Sequence, residues 1–179
     1  DADTVGTGSV AADAEICAML SDTLESVGIP RGDYIIRVNN RKVLNGILSK
    51  MSSEYLAEAN IDVLQVSDKS RASMDEGFDK FKDGVLRTLD KFDKIGEVGV
   101  QELLGEGRKD QSGAFIPGIG LSERAIYPVM GYLRSRTSSN SDTLNALSKI
   151  VDGSSEGEAG VAELSEIVKL LAAQGYGDD

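Results

Sequence analysis

Two stretches decide the fold: Arg37-Val38-Asn39-Asn40-Arg41-Lys42-Val43-Leu44-Asn45-Gly46, and its companion Asp1-Ala2-Asp3-Thr4-Val5-Gly6. The first joins two kinds of periodicity. Residues 33–39 (Asp33-Tyr34-Ile35-Ile36-Arg37-Val38-Asn39) are rich in β-formers and predict a strand. Val43, Leu44, Ile47 and Leu48 then recur at helical spacing and predict a helix over 41–51. In the companion stretch, residues 1–6 read as the end of a strand, with the carboxylates of Asp1 and Asp3 on one face. Between the two stretches, a turn at Gly6-Thr7-Gly8-Ser9 leads into a helix over about 11–28. Its apolar stripe is Ile16, Cys17, Leu20, Leu24 and Val27, closed by Gly28 and Pro30.

Beyond residue 51 the pattern weakens. Residues 52–84 read as a transition segment, where Ile61, Val63, Leu64 and Val66 fit a short strand or a helical turn. Helical periodicity returns over 85–95, and a short helix fits 98–105. Gly107 to Gly120 reads as a long loop. Helices follow near 121–135 (perturbed by Pro128), 141–151 and 157–174. The expected organisation is an α/β piece over 1–51, the transition over 52–84, a helical segment over 85–156 and a returning helix over 157–179.

Composition removes several classes of chemistry. The 179 residues include no His, so a Ser-His-Asp relay, a Cys-His dyad and an HExxH zinc site are all excluded within this chain. The single cysteine cannot form a disulfide within the chain, which fits a reducing compartment. No apolar run reaches membrane-spanning length. Aromatic residues make up only 5%, so the core is expected to be aliphatic. The net charge of −11 argues against a general coat for nucleic acid. Its distribution is uneven: residues 41–136 hold fifteen of the nineteen Lys and Arg and are close to neutral, so any polyanion contact is expected there.

Each candidate motif has an ordinary alternative. Gly6-Thr7-Gly8-Ser9-Val10-Ala11 fits the glycine spacing of a dinucleotide-binding turn. The preceding segment is acidic and polar, however, whereas a buried parallel strand is an apolar run. A plain strand-to-helix turn is the better reading. Asp1 and Asp3 fit an ammonium or metal site, or a solvated edge. Cys17 in its apolar stripe reads as a small buried hydrophobe. Arg37, Arg41 and Lys42 suit a phosphate contact or a solvated corner. Lys80, Lys82, Arg87, Lys91 and Lys94 alternate with acids, as an ion-paired helix face does. Arg124, Arg134 and Arg136 face only Glu123 in their own stretch and make the most basic local patch, near a helix C-terminus where cations are also favoured.

The two opening stretches resemble the histidyl-tRNA synthetases, a class II aminoacyl-tRNA synthetase family. Asp1 to Gly6, followed by Ala12-Asp13-Ala14-Glu15, is similar to the second strand of motif 2 and the helix after it. Arg37 to Gly46 is similar to the strand-to-helix segment that follows, so the resemblance covers about residues 1–50. Asp90-Lys91-Phe92-Asp93-Lys94-Ile95 resembles the opening of the family's insertion domain, and Val161 to Gly175 the helix that leads back to the catalytic sheet. The implied fold class is α/β, a fragment of an antiparallel-sheet catalytic core followed by a mostly helical insertion domain.

The resemblance implies that Asp3 binds the α-amino group of histidine. It implies ATP with Mg²⁺ as cofactors of the whole enzyme, histidine and tRNA(His) as partners, a homodimer, and the cytoplasm. No catalytic residue and no metal ligand of the family maps onto this chain. The ATP-clamping Arg of motif 2 is expected upstream and the histidine-specific segment downstream, so the isolated chain is expected to be inactive and to bind no cofactor. The insertion domain is expected to lean over the tRNA acceptor arm, with Arg124, Arg134 and Arg136 as its contacts. The alternative is the histidine-binding regulatory subunit of ATP phosphoribosyltransferase, a binding module that charges no tRNA. The helical segment after residue 84 favours the synthetase, because that paralogue usually lacks an insertion of this length.

Overall fold

The computed structural model of the chain describes residues 2–58 and 68–177, the side chains of 52–77 excepted. The elements in order are α1 (Val10–Ser26), α2 (Arg41–Glu58), α3 (Asp68–Leu89), α4 (Phe92–Leu104), β1 (Gly107–Lys109), β2 (Phe115–Pro117), α5 (Glu123–Arg134), α6 (Asn140–Val151) and α7 (Ser155–Ala173). They divide into two compact units, residues 1–46 with 135–179, and residues 47–134. The sequence reading drew its boundaries at 51, 84 and 156 instead.

The first unit is built on α7. Helices α1 and α6 both pack against it, and its Val161, Leu164 and Ile167 are buried with Val151 of α6. Each helix start in this unit has a side-chain cap. Ser9 accepts from the amide of Ala11, Ser139 from that of Asp142, and Ser154 from that of Gly157. Asn40 accepts from the amide of Lys42 at 2.9 Å and so caps α2. Helix α1 turns a small-residue face inward, Ala14, Ala18 and Ser21, while Met19, Leu20 and Val27 are exposed. The expected large-residue stripe is therefore not its buried face in this unit.

Glycine makes the contact between the start of α2 and α7. A Cβ added to Gly46 would stand 2.5 Å from the Cα of Gly157, and one on Gly160 would stand 2.8 Å from the amide nitrogen of Val43. At Gly46 and Gly157 neither side carries a Cβ, and at Gly160 the missing Cβ leaves room for Lys42 and Val43. These glycines pack helices together.

The second unit has a core of Val85, Val100, Leu103, Leu104, Ile126, Val129 and Met130. Helix α4 packs on α3 and α5. It is kinked at Gly96, whose φ of 68° is open to glycine. After α4 the chain forms an antiparallel hairpin in which Gly107 faces Pro117, Arg108 faces Ile116 and Lys109 faces Phe115. The sequence reading had this stretch as a loop. The turn is organised by Asp110, whose Oδ1 accepts from the Ser112 amide at 2.8 Å, the Ser112 hydroxyl at 2.6 Å and the Ala114 amide at 3.0 Å. An aspartate bonding its own downstream backbone holds a turn without help from a core.

Two expected strands do not form. Residues 2–5 and 34–39 carry no ladder, and among the described residues the β1–β2 hairpin is the only sheet. Strand propensity reflects packing and pairing in a sheet, and here no partner strand is in place. Helix α2 runs seven residues past its expected end, and α3 occupies much of the transition segment. Ile61, Val63, Leu64 and Val66 lie outside the described residues.

Candidate functional site

The first unit contains a cleft of about 330 Å³ between the N-terminal segment, the first turns of α1 and α2, and the middle of α7. Asp3, Thr4, Thr7 and Ser9 line one side, Asp13 and Ile16 come from α1, and Lys42 and Glu163 close it. Two helix caps account for part of this arrangement. Ser9 starts α1 as its cap, and its amide donates to Thr7 Oγ1 at 3.1 Å. Asn40 starts α2, which brings Lys42 into the first turn.

Glu163 binds both residues at that start. Its Oε2 accepts from Asn40 Nδ2 at 2.6 Å and its Oε1 from Lys42 Nζ at 2.5 Å. The Asn40 amide therefore does two jobs: its oxygen caps α2 and its nitrogen reaches α7. The Lys42 ammonium, and secondarily the Asn40 amide, hold the Glu163 carboxyl below its ordinary range. Among the lining residues, Lys42 offsets Glu163 and leaves the carboxylates of Asp3 and Asp13 without a cation. Such a cleft favours a small cationic group over a phosphate.

Asp3 thus lies in a cleft, exposed to solvent, while Asp1 falls outside the described residues. Of the three basic residues flanking Asn39 and Asn40, Arg37 and Arg41 are exposed and Lys42 is engaged by Glu163. Cys17 is half-buried, and its thiol is raised chiefly by that burial and next by the nearby Asp13 carboxylate. No local pattern could have found Glu163 as the partner of Lys42, since 121 residues separate them.

The three arginines of the expected RNA-facing patch are not alike. Arg134 ends α5 and is paired with Glu97 of α4, Nε standing 2.6 Å from Oε1. Arg124 lies in the first turn of the same helix, exposed. Arg136 is exposed in the connection after α5 and belongs to the first unit, so it is not in the helix whose C-terminus was expected to favour it. The acid that meets Arg134 comes from a different helix, which explains why it was not visible in the local stretch. Among the described residues no group of three or more His, Cys, Asp or Glu is arranged to hold a metal ion, and no described helix is long and apolar enough to cross a membrane.

Comparison with known proteins gives these features a context. The chain is 55% identical over 179 residues to a histidine–tRNA ligase of Ruegeria pomeroyi, and 52% identical over 179 residues to that of Ruegeria sp. strain TM1040. The ligase of Methylocella silvestris is 44% identical over 176 residues, or 98% of the chain. In each case the chain spans only about a third of the length of the curated relative. No family profile matches the chain, and no solved structure does. The relatives are all named histidine–tRNA ligases. The chain's whole length is similar to a segment of the two Ruegeria ligases.

Proposed function

We propose that this chain supplies the amino-group pocket, and a helical unit facing tRNA, to a histidine–tRNA ligase. The observation that carries the reading is 55% identity along the whole of this chain to a ligase of that name. The cleft is consistent with it. Asp3 and Asp13 present anionic charge, and a fixed carboxylate in a partly enclosed site is what an α-ammonium requires. Holding that ammonium at Asp3 orients the histidine carboxylate. Its oxygen then attacks the α-phosphorus of ATP, pyrophosphate leaves, and a hydroxyl at the tRNA 3′ end later takes the histidyl group with release of AMP. Mg²⁺, when bound, neutralises phosphate charge in such a reaction. The described residues offer no ligand cluster for it, so no step is assigned to them through the metal.

The expectation of a cytoplasmic homodimer goes with the same reading, and sedimentation of the full-length protein checks its oligomeric part. The Asp3 assignment is tested in the full-length protein by Asp3→Ala. Histidine KM should rise and the activation rate fall, with ATP affinity nearly unchanged. A wild-type KM for histidine and a wild-type activation rate would remove Asp3 from the site.

A further inference from the structure

We propose that Glu163 keeps the Asp3 cleft available to an incoming ammonium by holding Lys42 away from it. This rests on the reading of Asp3 as the amino-group ligand and adds a positioning residue to it. Lys42 and Asp3 line one cleft of about 330 Å³. Lysine carries a compact charge on a flexible four-carbon stem, so its position is set by whatever anion holds it. Here the holder is Glu163, through the Lys42 Nζ–Oε1 contact at 2.5 Å, and Glu163 is itself oriented by Asn40 Nδ2 at 2.6 Å. The Lys42 side chain is 47% exposed and therefore has room to swing. Released from Glu163, its ammonium would find Asp3 and Asp13 as the remaining anions of the cleft. It would then occupy the charge that the substrate ammonium needs. Glu163 acts in this way without touching the substrate, and two of its contacts are needed: one to retain Lys42, one to keep its own carboxylate in place.

The test is a set of variants in the full-length protein that carries this segment. Glu163→Gln keeps the shape and the acceptor for Asn40 but loses the charge that retains Lys42. It should raise the histidine KM about fivefold, the upper end for a half-exposed charge pair, with ATP KM unchanged. Adding Lys42→Met should restore the histidine KM. Imidazolepropionate, which lacks the amino group, should inhibit wild type and Glu163→Gln equally. A merely structural Glu163 would shift both substrates and the inhibitor together, and Lys42→Met would not rescue it; either result overturns the proposal. So does an unchanged histidine KM in Glu163→Gln. If Glu163→Gln does not fold, Glu163→Asp, which shortens the reach while keeping the charge, should show the same selective and rescuable change. Asp3→Asn in the same series separates the two readings. If it raises the histidine KM while the Glu163 variants do not, the pocket stands and the positioning role falls. If Asp3→Asn has no effect, the pocket itself falls.

Discussion

Arg134 closes on Glu97, its Nε 2.6 Å from one carboxylate oxygen, and so ties the last turn of α5 to α4. Both side chains are about half exposed, so the pair contributes roughly 0.5 kcal/mol, less at high salt. Arg134→Ala should lower the melting temperature slightly, and more at low salt than at high. Arg136, exposed and outside the helix, should leave the melting temperature unchanged when replaced by Ala. If the basic residues face the tRNA acceptor arm, Arg136→Ala should raise the tRNA KM and flatten its salt dependence. Unchanged aminoacylation in both variants would place the RNA contact elsewhere, with the Lys91 and Lys94 face next.

Gly46 should not tolerate a methyl group. Its added Cβ would stand 2.5 Å from the Cα of Gly157 and 2.7 Å from Ser154 Oγ. Backbone cannot yield as a side-chain tip does, so Gly46→Ala should destabilise by about 2 kcal/mol, against the usual gain for alanine in a helix. Gly84 is the control. Its added Cβ meets the Ile119 side chain at an ordinary 3.5 Å, so Gly84→Ala should stabilise by about 0.5–1 kcal/mol. Urea titrations of both variants check the contrast; equal and small effects would argue against the glycine crossing.

Glu163 gives a pH signature. Its carboxyl is lowered, first by Lys42 and then by Asn40. A depressed folded value means that the unfolded chain binds the proton more readily. The stabilisation is therefore complete above the ordinary glutamate value, about 4.3, and is lost as the pH falls through the lower folded value. The difference in melting temperature between wild type and Glu163→Gln should be largest near neutrality and shrink in acid. A difference that is flat from neutrality into acid would show that the ion pair does not form in solution.

Asp110 should matter to the hairpin and little else. It accepts from Ser112 and Ala114 as the turn closes, and the Ser112 hydroxyl lowers its carboxyl further. Asp110→Ala should raise amide hydrogen exchange across 107–117 several-fold while leaving α4 and α5 protected. Asp110→Asn, which retains an acceptor oxygen, should lie between the two. Exchange unchanged in Asp110→Ala would mean that β1 and β2 hold each other without the turn.

Apolar spacing along the chain was enough to place most of the helices, though not α3. Apolar spacing at Val161, Leu164 and Ile167, and at Ile126, Val129 and Met130, predicts buried faces that the fold then buries. Helical periodicity and capping are local, so they can be read along the chain. The resemblance carried by Asp1–Gly6 and Arg37–Gly46 agrees with the relatives found. The strands at 1–6 and 33–39 were not determined in the same way, because a strand needs a partner's hydrogen bonds and the described residues supply none there. The packing face of α1 also escaped. Its largest apolar residues are not its buried ones, and Ala14 and Ala18 were chosen by the closeness of α7. That Glu163 holds Lys42, that Glu97 meets Arg134, and that Gly46 rests on Gly157 follows from the fold alone. Each of these pairs is far apart in sequence. Charge, size and hydrogen bonding act over a few ångströms of space, and only the fold brings those residues that close.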